Sequence, residues 1–211
     1  MIAGHGFDGV NSGVAICMEN DETRVANSQS IAQHNRIAYN RIDSTGYGGI
    51  RADGAYNIIE YNVVRDAVLT MNDGGGIYCW GNTYDYTHHS IFRKNMVINV
   101  HGNTTTSAGN HKIITCMYMD NYSNNNVLED NILVGAKTGI ILNDLSHSHT
   151  VKGNKIYDVE SGINYSVWMK NIKDSIRGNY HVTNNIIYSK DDESRTINIG
   201  NNKLIIDIKS T

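Results

Sequence analysis

Three aspartates stand beside short segments that alternate as β-strands do. Asp53 and Asp120 each follow such a segment, and Asp73 precedes one. Hydrolysis of a glycosidic bond uses two carboxyl groups, about 5 Å apart when configuration is retained and roughly 6.5–9.5 Å apart when it is inverted. Three acids are therefore available for two roles. We predict that Asp73 and Asp120 form the catalytic pair, one as general acid and the other as nucleophile or base, and that Asp53 binds substrate.

Asp73 opens a run of three glycines that leads to the aromatic residues Tyr78 and Trp80. Glycine adopts backbone angles that are closed to other residues, so we expect the glycines to form a sharp turn and the strand to begin after them. Residues two apart in a strand share a face, which places Tyr78 and Trp80 together. An alternative role for Asp73 is to cap this turn, and Asp120, which precedes Asn121, has a similar alternative.

Several other side chains in these segments suit a sugar ligand. Aromatic faces suit sugar rings, while hydroxyl and charged groups suit sugar hydroxyls. The histidines come from loop-like stretches, where solvation is the simpler interpretation. Besides Asp53, the predicted substrate-binding residues of this kind are Arg51, Tyr78, Trp80, Tyr118, His88 and His111.

A lyase reaction is a second chemistry that the residues leave open. In a polysaccharide lyase a cationic side chain removes the proton next to a uronate carboxylate, and Arg51 or Lys112 could act as that base. No cluster of Asp and Glu has the form of a calcium site, and the three cysteines lack metal-ligand spacing. We therefore expect no cofactor, and we expect the cysteines to be free thiols, mostly buried.

The elements that position these residues recur along the chain. The pattern apolar-x-x-Asn-x-apolar occurs six times, with 22 or 23 residues between some asparagines and roughly ten more between others. We interpret the asparagines as architecture, because Asn tolerates left-handed backbone angles and stacked Asn side chains can bond from coil to coil. The extra residues would form loops beside the binding site, at 83–90, 101–113 and 165–180. The repeated asparagines are Asn40, Asn62, Asn95, Asn131, Asn154 and Asn185.

A second segment repeats in step with the first. Stacked as parallel strands about 4.8 Å apart, its copies would place two apolar columns inside and two columns outside. One outward column would hold Asp53, Trp80, Asp120 and Asn143, with Trp80 as an exposed platform. This predicts an all-β protein, a right-handed parallel β-helix of about seven coils in one domain over residues 1–211. The aligned segments are 49–53, 76–80, 116–120, 139–143 and 162–166.

Composition limits the partners and the location. The chain has 211 residues and a net charge of −3, and it contains no long basic run, so a nucleic-acid partner is not expected. No apolar stretch is long enough to cross a membrane, and no signal peptide is recognisable. Because the sequence begins in the middle of its repeat, we expect a piece of a longer secreted or cell-surface protein, with a cytoplasmic location as the alternative. Unpaired strands at the end coils would favour self-association.

With these segments in place, the chain resembles the right-handed β-helix proteins of the pectate-lyase-like superfamily. The resemblance is closest to the β-helix glycoside hydrolases of families 141 and 120, and it runs from about residue 30 to 190. It implies an oligosaccharide or polysaccharide as substrate. Asp73 matches the acid of the family's Asp-Gly-Gly segment, and Asp120 matches the carboxylate of its Tyr-Leu-Asp segment.

The resemblance departs from the family at one site residue. In the xylosidase-like members a second catalytic acid, a glutamate, stands one coil after that aspartate, and here the position is Asn143. Since Asn cannot transfer a proton, either Asp144 substitutes, or Asp73 and Asp120 do the work, or activity is lost. The alternatives to a hydrolase are a polysaccharide lyase and a non-catalytic structural or carbohydrate-binding solenoid, such as a segment of a fibre or spike.

Overall fold

Parallel strands form every regular element of the part of the chain that the structure describes. This computed structural model describes residues 13–19, 32–103, 113–166, 178–190, 195–198 and 207–209. The strands stack coil upon coil, which confirms the predicted all-β parallel β-helix. They are β1 (Ile16–Met18), β2 (Arg36–Ala38), β3 (Arg41–Asp43), β4 (Ile50–Ala52), β5 (Ile58–Glu60), β6 (Val63–Ala67), β7 (Asp73–Cys79), β8 (Ile91–Arg93), β9 (Met96–Val100), β10 (Ile113–Met119), β11 (Val127–Glu129), β12 (Ile132–Leu142), β13 (Thr150–Lys152), β14 (Lys155–Tyr165), β15 (His181–Thr183), β16 (Ile186–Ser189), β17 (Arg195–Asn198) and β18 (Asp207–Lys209).

Each coil contributes to three faces. The first face is a sheet of 7 strands, which agrees with the seven coils predicted. The second and third faces belong to one 11-stranded sheet, because β12 and β14 run round the corner between them. The first face contains β2, β5, β8, β11, β13, β15 and β18; the second contains β3, β6, β9, the first halves of β12 and β14, and β16; the third contains β1, β4, β7, β10, the second halves of β12 and β14, and β17. The described residues include no helix long and apolar enough to cross a membrane.

The core fills the inside of the coils, and the third face supplies two of its columns. Ile77 pairs with Ile50 on one side and with Met117 on the other, and all three are fully buried. Burying an apolar side chain of this size is worth about 1.5–3 kcal/mol, so each added coil extends one continuous core. The predicted inward columns are confirmed: Ile50, Ile77, Met117, Ile140 and Ile163, and then Ala52, Cys79, Met119, Leu142 and Tyr165.

The six repeated asparagines line the corner between the first and second faces and are called the asparagine ladder below. Oδ1 of Asn95 accepts two hydrogen bonds from Asn62, one from its Nδ2 at 3.0 Å and one from the backbone N–H of Asn62 at 3.1 Å. The Nδ2 of Asn95 donates to Oδ1 of Asn131 at 3.1 Å and to the carbonyl of Ile59 at 2.8 Å. Each interior asparagine therefore ties three coils together, and the predicted bonding from coil to coil is confirmed.

The expectation that these asparagines adopt left-handed backbone angles is wrong. The left-handed residue is the one before each asparagine, because the corner turns there and leaves the asparagine free to point into the stack. These preceding residues are Tyr39, Tyr61, Lys94, Asp130, Gly153 and Asn184.

A second ladder, which the repeat analysis missed, lies at the corner between the third and first faces. Here the side chain of each coil accepts one bond from the backbone N–H of the coil before it. Asn57 N donates to Ser90 Oγ at 3.1 Å, Ser90 N donates to Asn126 Oδ1 at 2.8 Å, and Asn126 N donates to His149 Nδ1 at 3.2 Å. We call this row the mixed ladder; its members are Asn35, Asn57, Ser90, Asn126 and His149.

The glycine run after Asp73 is strand and not the predicted sharp turn. All three glycines lie within β7, and none of them has a positive φ. Glycine is needed there for space: a Cβ on Gly74 would lie 2.5 Å from Cε2 of Tyr47, and a Cβ on Gly76 would collide with Cγ1 of Val97. The run therefore permits close packing across the coil rather than an unusual backbone.

Candidate functional site

The third face brings most of the predicted site residues into two neighbouring columns. Tyr78 pairs with Arg51 and with Tyr118, as the alignment predicted. The second column continues the same register after the strands end, since Asp120 N donates to the carbonyl of Cys79 and Asn143 N donates to that of Met119. Its members are Asp53, Trp80, Asp120 and Asn143.

The predicted exposure of these columns is wrong, because a further layer covers the face. Tyr78, Tyr118 and Ile141 are buried in an apolar cluster outside the sheet, with Trp80 and Ile113 packed against it. Trp80 is half-buried and not an exposed platform.

Two tyrosines outside the strands pack beside this cluster, one of which, Tyr47, also belongs to the main core. Tyr86, from the loop predicted at 83–90, is fully buried with its ring edge-on to Trp80 at 5.4 Å. Tyr47 lies 6.5 Å from Tyr78, centroid to centroid, and donates its hydroxyl to the carbonyl of Asp73. Neither tyrosine was predicted, because nothing in the repeat marks which loop residues fold back over a face.

Asp53 is fully buried and is held from two sides. One carboxylate oxygen accepts from Arg51, with Nη2 at 2.7 Å and Nε at 2.8 Å, and the other accepts from the backbone N–H of Trp80 at 2.9 Å. Burial raises the pKa of Asp53 to about 6, and Arg51 opposes that shift. This environment makes Asp53 a positioning residue for Arg51 and Trp80 rather than a residue that reaches a substrate.

Arg51 does not fit the lyase base that the sequence left open. Burial acts to lower the pKa of Arg51, but the carboxylates of Asp53 and Glu19 outweigh it, and the pKa is raised. The guanidinium lies 5.7 Å from the ring of Tyr78 and 5.9 Å from that of Trp80, where it adds cation–π contacts. A cation held this firmly cannot accept a proton near neutral pH. Lys112, the other candidate, lies outside the described residues.

Asp120 is the most accessible carboxyl group of the two columns, with 9% of its surface exposed. Oδ2 accepts from the hydroxyl of Tyr78 at 2.9 Å, and Oδ1 accepts from Nδ2 of Asn143 at 2.5 Å and from the N–H of Asn121 at 2.8 Å. Burial raises the pKa of Asp120, while these hydrogen bonds act in the opposite direction. The pKa values of Tyr78 and Tyr118 are also raised by burial, so both phenols keep their protons.

Asn143 occupies the position where the resemblance requires an acid, and it has an unused acceptor. Its Nδ2 donates to Asp120 and, at 3.1 Å, to the hydroxyl of Tyr118. Its Oδ1 is buried and has no hydrogen-bond partner among the described residues, although only 3% of the residue is exposed. Buried acceptors are nearly always bonded, so this oxygen is an exception among the described residues.

Asp73 lies at the other end of its strand from Asp120. It is exposed, it is the first residue of β7, and it pairs with Ile113, whereas Asp120 follows the last residue of β10. Seven residues at about 3.3 Å each separate the two levels, so the backbones are on the order of 20 Å apart along the strand. The register thus does not bring the predicted catalytic pair together, and the pairing stays a prediction. The alternative role of Asp73 in a turn fails, because Asp73 is in the strand.

The remaining predicted residues lie elsewhere. Asp144 is fully buried, and its Oδ1 accepts from the N–H of Leu145 at 3.0 Å, which is a local turn contact. It therefore cannot replace the missing acid at the surface. His88 lies at the corner of the mixed ladder, with Nδ1 2.8 Å from Nδ1 of His89 and its ring edge-on to Tyr56 at 5.4 Å. His111 lies outside the described residues, as do most of the predicted loops at 101–113 and 165–180.

The described residues form no metal-binding group at this site, and the cysteines are free thiols. Across the described ranges, no three residues among His, Cys, Asp and Glu are grouped so as to hold a metal ion. Cys79 and Cys116 are buried free thiols, as predicted, and burial raises the pKa of both; Cys17 is exposed.

Comparisons with protein-family models, with curated proteins and with solved structures gave no match to this chain. The family resemblance therefore depends on the motifs alone.

Proposed function

We propose that this protein is a carbohydrate-active β-helix that binds an oligosaccharide at the ends of β7, β10 and β12, where Trp80, Asp120 and Asn143 lie. The observation that carries the proposal is the unpartnered Oδ1 of Asn143. A buried polar atom without a partner costs about 1–3 kcal/mol, and a hydroxyl group of a ligand would remove that cost. Sugars supply such hydroxyls in a dense array.

The neighbours of Asn143 support a sugar over other hydroxyl ligands. The half-buried ring of Trp80 stands in the same column and adds apolar surface, and Asp120 offers a carboxyl group to further hydroxyls. The resemblance to the pectate-lyase-like superfamily and its glycoside hydrolases points to the same ligand class. On that basis we also propose a secreted or cell-surface location.

Hydrolysis is the proposed reaction, with Asp120 as general acid. Its raised pKa increases the protonated fraction near neutral pH, and the bonds from Tyr78 and Asn143 fix its orientation. A second carboxyl group is needed for either stereochemical course. Asp73, the partner that the sequence predicts, lies on the order of 20 Å from Asp120 along the strand, well beyond the separation of either kind of pair.

Binding without catalysis is the second candidate, and the state of Asp53 favours it. Asp53 stands two strand spacings from Asp120, about 10 Å at the backbone, which is close to the separation of an inverting pair. Its carboxylate is fully buried on Arg51 and on the N–H of Trp80, so it cannot activate water for attack on a sugar. A solenoid that only binds carbohydrate needs no second acid.

The test is to incubate the protein with neutral and acidic polysaccharides while measuring binding, reducing ends and the ultraviolet absorbance of unsaturated uronides. Hydrolysis should release reducing ends, and Asp120→Asn should lower that rate by about 100-fold or more while binding is retained. The matched control is Asp130→Asn, which changes an exposed aspartate at the opposite side of the coil. Binding with no product of either kind selects the non-catalytic candidate, unsaturated products select the lyase, and no binding at all contradicts the proposal.

A further inference from the structure

The first face is bordered on both sides by corner residues that change in size halfway along the helix axis. All of these border residues have a positive φ. In the coils of β2, β5 and β8 they are large, and in the coils of β11, β13 and β15 they are small. The large ones are His34, Tyr56 and His89 beside the mixed ladder and Tyr39, Tyr61 and Lys94 beside the asparagine ladder; the small ones are Asn125, Ser148 and Asn179, and then Asp130, Gly153 and Asn184.

The large border residues stand where the backbone disfavours them. Tyr39, Tyr56 and Tyr61 have φ values of 59°, 55° and 54°, in the left-handed region that Asn, Asp and Gly occupy at lower cost. Tyr39 and Tyr61 stack at 5.1 Å with their planes 4° apart, so the ring faces are turned along the helix axis and the edges point away from the surface. Strained, exposed rings in only one half of a repeating face point to a function that needs the two halves to differ.

The outward side chains of the strands form a ladder of alternating charge in the same coils. Glu60, Arg93, Glu129 and Lys152 stand in one column, in that order along the axis. Nε of Arg93 lies 2.7 Å from Glu60, and Nζ of Lys152 lies 2.9 Å from Glu129. The neighbouring column is apolar in its middle, at Ile58, Ile91 and Val127.

A second copy with its helix axis reversed complements both patterns. A twofold axis that runs along the strands, between β8 and β11, leaves each column facing itself in the opposite order. Arg93 then faces Glu129, Glu60 faces Lys152, and the apolar residues meet at the centre. At the borders the facing pairs are Tyr39 and Asn184, Tyr61 and Gly153, Lys94 and Asp130, His34 and Asn179, Tyr56 and Ser148, and His89 and Asn125. Five of these pairs set a large residue against a small one, and the sixth sets opposite charges together.

Charge and size select this axis over its neighbours. An axis through β8 would set Arg93 against itself and Glu60 against Glu129. An axis through β11 would set Glu129 against itself and Arg93 against Lys152. An axis between β11 and β13 would set Arg93 against Thr183 and small border residues against each other. Like charges that face each other across an interface oppose association, so the alternating ladder favours one arrangement.

We infer that the protein forms a homodimer through its first face, with the two helix axes antiparallel. Such a twofold interface uses the same patch on both copies, which must therefore be self-complementary. Six strands and their borders cover about 29 Å by 20 Å, roughly 600 Å² on each copy. A total of about 1,200 Å² is at the lower end for specific interfaces, so we expect a Kd on the order of micromolar. The third face stays uncovered in both copies, and association does not depend on the ligand proposed there.

The test uses two opposite charge reversals in separate samples, Lys94→Asp and Asp130→Lys. In a dimer of either variant alone, like charges would face each other at both copies of this pair, so the Kd should rise by about tenfold or more. In an equal mixture of the two variants, opposite charges face each other again, and the Kd should return to within about threefold of the original value. Mixing cannot rescue a change that acts only inside one chain.

The matched control is Lys155→Asp, which makes the same charge reversal at an exposed position of β14 on the second face. It should leave the Kd unchanged in sedimentation equilibrium. Salt should weaken the unchanged dimer severalfold, because it screens the facing charges. Should either reversal unfold the chain, this salt dependence alone decides the matter. Below the Kd the protein is a monomer, so substitutions at Asp130 then report on the single chain.

Four outcomes would overturn the proposal. They are a monomer at concentrations of hundreds of times the expected Kd, a dimer that salt does not weaken, two folded variants that mixing does not rescue, and growth into assemblies longer than a dimer. The last would indicate association through the end coils, since head-to-tail contacts do not close.

Discussion

The asparagine ladder and the mixed ladder turn the chain in the same way but hold it differently. In both, a left-handed residue makes the corner and the next residue bonds to the coil before it. In the asparagine ladder each interior side chain also donates twice, to the next asparagine and to a carbonyl of the preceding coil. In the mixed ladder the bond common to every coil is a single accepted one. Asn57 still donates twice from Nδ2, whereas Nδ2 of Asn126 has no partner among the described residues.

This difference explains which residues each corner accepts. Only Asn supplies one acceptor and two donors in that geometry, so the first ladder is uniform. An acceptor alone can come from an amide, a hydroxyl or an imidazole, and the mixed ladder uses all three. The mixed corner is therefore the side of the coil that can vary, and it is also where the loop that carries Tyr86 runs from β7 on the third face to β8 on the first.

The largest expected effect comes from making the same substitution in both ladders. Asn95→Ser should lower the free energy of unfolding by about 3 kcal/mol, because it removes two donated bonds and leaves buried partners unsatisfied. Asn126→Ser should cost about 1 kcal/mol or less, because the serine hydroxyl can still accept from Ser90 N and the lost amide donor was unused. Urea unfolding of both variants measures the difference. Equal losses in the free energy of unfolding would show that the two ladders contribute equally to stability.

A smaller effect follows from the one titratable group of the mixed ladder. Burial, and then the charge of His147, lowers the pKa of His149 to about 3. The unfolded chain binds a proton at this histidine below a pH of about 6.5, whereas the folded chain does not until about 3, so stability falls as pH falls through that window. Between pH 7 and pH 5 the loss should be about 2 kcal/mol.

The variant His149→Asn should remove this part of the pH dependence, since Asn fills the same position at Asn57 and Asn126. Unfolding of both proteins at pH 7, 6 and 5 measures it. Asp53 shifts stability with the opposite sign: its raised pKa of about 6 gives stability below its unfolded value of about 4 that is lost as pH rises through 6. That contribution is common to both proteins and cancels in their difference. A pH profile of His149→Asn parallel to that of the unchanged protein would contradict the assignment.

The smallest expected effect on stability comes from replacing the left-handed residue that both corners share. Asp130 and Ser148 are the left-handed residues of the two corners, with φ values of 55° and 56°. Glycine relieves about 1 kcal/mol of backbone strain there but also gains entropy in the unfolded chain. Asp130→Gly and Ser148→Gly should therefore each change the free energy of unfolding by less than about 1 kcal/mol, and by similar amounts. A large difference between them, measured by thermal unfolding, would mean that the corners differ in backbone as well as in side chains.

The fold was largely predictable because its main signals are local and repeat. Asn40 and Asn62, or Ile50 and Ile77, recur at fixed offsets, and a solenoid converts each recurrence directly into a stacked contact. The mixed ladder escaped detection because Asn, Ser and His share an acceptor and not a residue type. The glycines of β7 were misread because close packing by Tyr47 and Val97 is invisible in sequence, while a turn is the commoner use of such a run.

The sequence predicted which site residues pair across neighbouring strands, but it did not predict that these residues are buried. The columns of Arg51, Tyr78 and Tyr118 follow from counting, whereas their burial depends on residues that fold back from distant loops. Asp73 shows the same limit: its offset from the strand was misjudged once the glycines were taken as a turn.

The two longest strands, β12 (Ile132–Leu142) and β14 (Lys155–Tyr165), pass the corner between the second and third faces without a break. In the coils before them, the chain leaves the sheet between those faces. A stacked solenoid has nearest-neighbour cooperativity, so its most continuous rungs are the hardest to open. We expect the amides of β12 and β14 to exchange with deuterium last, and coils on either side to add to this seed as the chain folds. The covered third face would then form on an already rigid template.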